Sequence, residues 1–213
     1  MSVLPEQISQ LETSVAAQFS GAQEYNLSEM MNLLKFYNFD PVEVGTEAAK
    51  ARGLIVARII IKSLTVSPRA DAAAACYLLS ATLLEDENVQ AALTLQEQFE
   101  CIRLDAFWAS VAKPAVAALI EPVVGFFDNI RDVIAGVVSI TYQRLSLSLF
   151  GTLVNLSGAE LTQFISSKGW TVEGDVLSLP LVPENTSSDG SVVSDNIQLP
   201  QLTKLITYAS TSN

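Results

Sequence analysis

Histidine is missing from the sequence altogether. Without it there is no Ser-His-Asp or Cys-His catalytic arrangement, the commonest zinc ligand sets cannot be assembled, and the usual pH switch is absent. Cysteine is scarce, with only Cys76 and Cys101. Each lies in an apolar helical pattern, so both are expected to be reduced core residues, as in a reducing compartment. Basic residues are few: 12 Lys and Arg stand against 23 Asp and Glu, for a formal net charge of −11. Phosphate binding draws on clustered Lys and Arg, so nucleic acid is not expected as a free-standing partner. Long apolar runs are also lacking. Charge-free stretches such as residues 145–159 fall short of the roughly 20 residues that span a bilayer. Residues 1–12 lack the basic start and apolar run of a signal peptide. The expectation is a cytoplasmic protein with no membrane partner.

What the chain has is apolar content. Some 49% of its 213 residues are hydrophobic and only 16% are charged, so either the surface is unusually neutral or partners cover part of it. The pattern is helix after helix. Residues 5–19 place Ile8, Leu11, Val15 and Phe19 on one face, and 27–37 do the same with Met30, Leu33, Leu34 and Tyr37. Asn38-Phe39-Asp40-Pro41 reads as a turn. Residues 44–64 are so apolar around 54–61 that this helix should be central. Ser67-Pro68 ends it, and Asp71 opens an alanine-rich helix over 70–84. After the acidic break at Glu85-Asp86-Glu87 come helices over 88–102, 105–112 and 126–144, with Pro114 and Pro122 interrupting between. The last should turn Ile130, Ile134, Val137, Val138 and Thr141 to one side. Residues 145–155 are expected to form one more helix. Successive antiparallel pairs of this kind stack in helical-repeat proteins, although no strict period is visible.

Residues 156–180 differ. Ser157 and Glu160 have capping-box spacing, and Leu161, Phe164 and Ile165 form a helical stripe. Lys168 suits the negative helix end, and Gly169 suits a left-handed stop. Trp170 and Val172 then alternate with Thr171 and Glu173, Gly174-Asp175 supplies a turn, and Val176, Leu177 and Leu179 make a second strand closed by Pro180. Helix, tight stop and hairpin is the second half of a winged helix; an ordinary αββ fragment fits the same pattern. Residues 182–196, rich in Ser, Asp, Asn and Gly, read as a flexible linker. Beyond it Leu199, Leu202, Leu205, Ile206 and Ala209 share a stripe, which either folds back or joins helices of other chains.

No residue set carries catalysis. Glu85-Asp86-Glu87 reads as a solvated turn. Glu97 and Glu100 lie three apart on a helix, but no lysine cluster or glycine-rich phosphate loop joins them, and metal binding needs more oxygen ligands. No catalytic residue, metal site or cofactor is expected. Phe107-Trp108 is expected to pack the helical half against the winged helix, with a partner anchor as the alternative. Tyr142 is expected to bury its ring with its hydroxyl on a backbone group, with a surface role as the alternative. From residue 126 onward the basic residues are Arg131, Arg144, Lys168 and Lys204, against Asp128, Asp132, Glu160, Glu173, Asp175, Glu184, Asp189 and Asp195. Direct DNA binding is not expected, and RNA contact is at most peripheral.

Four motifs come in a telling order: Leu34-Lys35-Phe36-Tyr37-Asn38-Phe39-Asp40-Pro41, Phe107-Trp108, Ser139-Ile140-Thr141-Tyr142-Gln143 and Ser167-Lys168-Gly169-Trp170. In order and approximate spacing they resemble the subunit k family of eukaryotic translation initiation factor 3. The likeness spans about residues 27–180 and leaves out the first segment and the linker. It implies a mainly α, PCI-type fold, a HEAT-like helical-repeat domain followed by a winged helix. With the composition breaks read above, the expected domains are 1–125 and 126–181, then the linker over 182–196 and a C-terminal helix over 197–213. It also implies a non-catalytic scaffold subunit of that factor, working on the small ribosomal subunit, with subunit l as the nearest neighbour. PCI subunits of the proteasome lid or the signalosome share this architecture, and a stand-alone winged-helix regulator of nucleic acid is a third reading. In PCI proteins winged-helix sheets add side by side, and an unpaired strand edge is a template for another chain. Trp170, Thr171, Val172, Val176, Leu177 and Leu179 are therefore the candidate partner surface or its support, together with Leu199, Leu202, Leu205 and Ile206 of the tail. A hairpin that merely caps its own domain is the alternative.

Overall fold

A computed structural model describes residues 3–40, 42–43, 45–186 and 199–211. It is mainly helical, with one small antiparallel sheet late in the chain. α1 (Val3–Phe19) and α2 (Leu27–Phe39) pair first. Asn26 starts α2, its side chain accepting from Ser28 N. α3 (Glu47–Leu64) is capped by Thr46 and is the central helix, with Val56, Ala57 and Ile59 through Ile61 fully buried. It packs most extensively against α6 (Glu87–Glu100). Gly53 permits this approach: a Cβ there would overlap the Asp86 carboxylate.

Several sequence expectations are corrected. Residues 70–84 form two helices, α4 (Asp71–Cys76) and α5 (Ala81–Leu84), because the Ser80 side chain accepts from Leu83 N and starts a new helix. Asp71 is buried, accepting from the Tyr25 hydroxyl at 3.0 Å and pairing with Arg69 at 3.3 Å. Asp86 is half-buried, not a solvated turn residue: its Oδ1 accepts from Asn88 N and Val89 N and caps α6. Cys101 is exposed and Cys76 only half-buried.

α7 (Leu104–Val111) is followed by α8 (Pro114–Ile120), where Pro114 occupies the first turn and begins a helix instead of breaking one. α9 (Phe126–Thr141) buries Phe126, Ile130, Ile134, Ala135 and Val138. Val137 and Thr141 lie outside that stripe, and Tyr142 is 44% exposed at the end of the helix instead of buried. Residues 144–146 are not helical: they form β1 (Arg144–Ser146), and the helix α10 (Leu147–Val154) starts after it. α11 (Gly158–Ser167) is entered through Gly158 at φ +59, and Ser157 makes no side-chain cap bond, so the expected capping box does not form. β2 (Thr171–Glu173) and β3 (Val176–Ser178) complete the sheet in the order β1-β3-β2.

The first residues of the expected linker are structured. Pro183–Asn185 is a 3-10 turn against the end of α9, where Asn185 Nδ2 donates to the carbonyls of Ser139 and Pro180 at 2.9 Å. Gln143 Nε2 donates to Asn185 O at 2.8 Å. The remainder of the linker, 187–196, lies outside the described residues. α12 (Leu199–Thr211) closes the described chain.

Candidate docking site

The sheet is aimed by the end of α11. Gly169, at φ +70, donates from its N–H to Ser166 O at 3.0 Å, and Trp170 N donates to Ile165 O at 3.3 Å. These are the paired bonds of a Schellman stop, and they turn the chain into β2. Lys168 ties the same corner to α9 through Asp132, Nζ to Oδ1 2.8 Å. The ring of Trp170 meets Phe150 of α10 edge-on at 5.4 Å, and Phe164 stacks on the same phenylalanine at 6.3 Å. α10 is itself held to the helical half: Trp108 Nε1 of α7 donates to Leu153 O at 2.9 Å, and Arg131 Nε donates to Val154 O at 3.2 Å. Phe107 is fully buried beside Phe99 and Phe126.

Register decides what the strands present. Leu145, Leu177 and Val172 are direct partners across the three strands, so they form one row on the inner face. Exposure along it runs 7%, 0% and 42%. The row is apolar to its last member and is uncovered at β2. The flanking rows, Arg144–Ser178–Thr171 and Ser146–Val176–Glu173, face outward.

The hydrogen-bond phase is set by the turn. Glu173 and Val176 flank the two-residue turn at Gly174-Asp175, so they are the bonded pair that closes the hairpin. The next pair, Val172 and Leu177, is therefore non-hydrogen-bonded. The N–H and C=O of Val172 point away from β3, towards the open side of β2. All three β2 residues are exposed.

The candidate residues thus divide. Thr171, Val172 and Val176 are accessible. Trp170 is half-buried, and Leu177 and Leu179 belong to the core, where they support the edge from behind. Leu145 and β1, which the sequence pattern does not reveal, close the other side of β3. In the tail, Leu202, Leu205 and Ile206 are exposed on α12, which Leu199 opens. Among the described residues no group of three or more His, Cys, Asp or Glu is placed to hold a metal, and no helix is long and apolar enough to cross a membrane.

Comparison with known proteins adds an independent line. A model described as the CSN8/PSMD8/EIF3K family matches residues 50–189. Several relatives carry the name eukaryotic translation initiation factor 3 subunit K. The one from Nematostella vectensis is 27% identical over 98% of this chain and 88% of its own length. That of Phaeosphaeria nodorum is 29% identical over 88% and 81%. The human one is 28% identical over 79% and 73%.

Proposed function

The chain belongs to the CSN8/PSMD8/EIF3K family, and from that premise we propose that it is a non-catalytic scaffold subunit of the eukaryotic translation initiation factor 3 complex. Its work is docking: it holds sister subunits, subunit l first among them, in an assembly on the small ribosomal subunit in the cytoplasm. The family description joins three kinds of member, so membership alone leaves the complex open; the subunit K relatives favour the initiation factor over the proteasome lid and signalosome readings.

The proposed architecture is a HEAT-like helical domain over 1–125, then a winged helix over 126–181. The element order α9-β1-α10-α11-β2-β3 with sheet order β1-β3-β2 supports the second part. The acidic Glu173 at the end of β2 and Asp175 in the turn disfavour phosphate, so the wing serves protein and not DNA. The observation that carries the reading is the uncovered end of the Leu145–Leu177–Val172 row beside an outward-facing Val172 N–H. A partner strand laid along β2 would extend both the ladder and the apolar row.

Val172→Pro tests it. Proline removes a donor that serves only the open side, so the fold's own ladder keeps its bonds. We expect recovery of sister subunits with the tagged chain to fall about tenfold or more, roughly 1.4 kcal/mol, while circular dichroism and melting temperature stay close to those of the parent. Unchanged recovery with an intact fold would remove β2 as the docking edge.

A further inference from the structure

Helices α1, α10 and α11 end by passing one residue through the left-handed region, and those residues are Gly21, Asn155 and Gly169. These are the residue types that tolerate it. α6 ends the same way, with Ile102 N donating to Phe99 O at 3.0 Å and Arg103 N to Gln98 O at 2.8 Å. There the left-handed residue is Ile102, at φ +56. A β-branched side chain is strained in this conformation. Within the chain the strain brings little packing in return, because Ile102 is 65% exposed.

We infer that Ile102 is an interaction residue, kept against the preference of its own backbone because its side chain enters an apolar pocket on a neighbouring protein. The surroundings specify the neighbour. Glu97, Glu100 and Asp105 lie within five residues, all exposed, against the single cation Arg103. Three carboxylates to one guanidinium disfavour a phosphate-bearing surface, whether nucleic acid or anionic lipid. They suit a protein whose pocket is apolar and whose rim is neutral or basic, an apolar centre inside a charged ring. The inference rests on the multi-subunit reading above and adds a second contact, at the end of α6, to the edge of β2.

The test uses the full chain with Ile102→Gly and Ile102→Asn, both of which suit positive φ. Each isolated variant should melt about 2–4 °C higher than the parent, a shift of the size expected for a chain of this length. Each should also compete about tenfold less well than the parent for a place in the assembly reconstituted from purified sister subunits. Equal competition would show that the side chain has no partner. A melting temperature that does not rise would show that no stability is given up for it. Val172→Pro runs in the same assay. If it weakens incorporation while both Ile102 variants compete evenly, this inference falls and the docking edge stands. If the parent chain itself fails to enter the assembly, both fall together.

Discussion

Cys76 directs its thiol at Gln96, Sγ to Oε1 3.4 Å, and burial with the nearby Glu100 charge pushes its pKa up to about 11. At pH 8 only about one such thiol in a thousand is ionised, and the thiolate is the reactive form. Cys101, one residue past the end of α6, is exposed. A disulfide reagent added to the native chain at pH 8 should therefore modify one thiol rapidly and the second at least about a hundredfold more slowly. Cys101→Ser should abolish the fast phase, and denaturant should merge the two. A fast Cys76 would mean that its surroundings open readily. The two cysteines look alike in the sequence because helical periodicity fixes a face only while the helix lasts. Tyr142 escapes a periodicity argument for the same reason: it follows Thr141, the last residue of α9, and the chain there is extended. Ser157 shows the reverse case, a well-spaced cap undone by the left-handed Gly158 beside it.

Elements are legible in proportion to their length. α3 can be assigned as central from its apolar content, since so many apolar residues in eighteen positions require cover on nearly every side. β1 cannot, because three residues carry no usable period and Leu145 fits a helix stripe equally well. Only its pairing with β3 makes it a strand, and that pairing decides which side of the hairpin stays open. The contact of α3 with α6 is also invisible in the sequence, because it depends on Gly53 meeting Asp86 across space. Alanine in a helix ordinarily improves on glycine by about 0.5–1 kcal/mol. Here Gly53→Ala should instead destabilise by about 1–3 kcal/mol, as overpacking does. Asp86→Ala alone should cost about 1 kcal/mol through the lost cap. The double variant should cost less than the sum, because removing the carboxylate removes the overlap; chemical denaturation of all four proteins gives the coupling. Additive costs would show that the two residues do not meet.

At the scale of the whole molecule, the described residues comprise a body with a buried core and a last helix on which Leu202, Leu205 and Ile206 are exposed. Ahead of the tail, Asn185 pins the chain to the carbonyls of Ser139 and Pro180. α12 is amphipathic, yet Leu205 and Ile206 are each 65% exposed. With 13 residues it is at the length where an isolated helix is only marginally stable in water. Under the scaffold role proposed above, a sister subunit supplies the surface that covers Leu202, Leu205 and Ile206. In the isolated chain, amides of 199–211 should exchange with deuterium at nearly unprotected rates, while those of α3 should exchange slowly. Deleting 197–213 should leave the melting temperature of the remainder within about 2 °C, because a stabilisation well under about 1 kcal/mol is lost. The same deletion should lower incorporation into the assembly, and within the assembly the tail amides should become protected. Strong protection in the isolated chain, or a large fall in melting temperature on deletion, would show that the stripe packs on its own body, and the tail would then be part of the fold and not a docking arm.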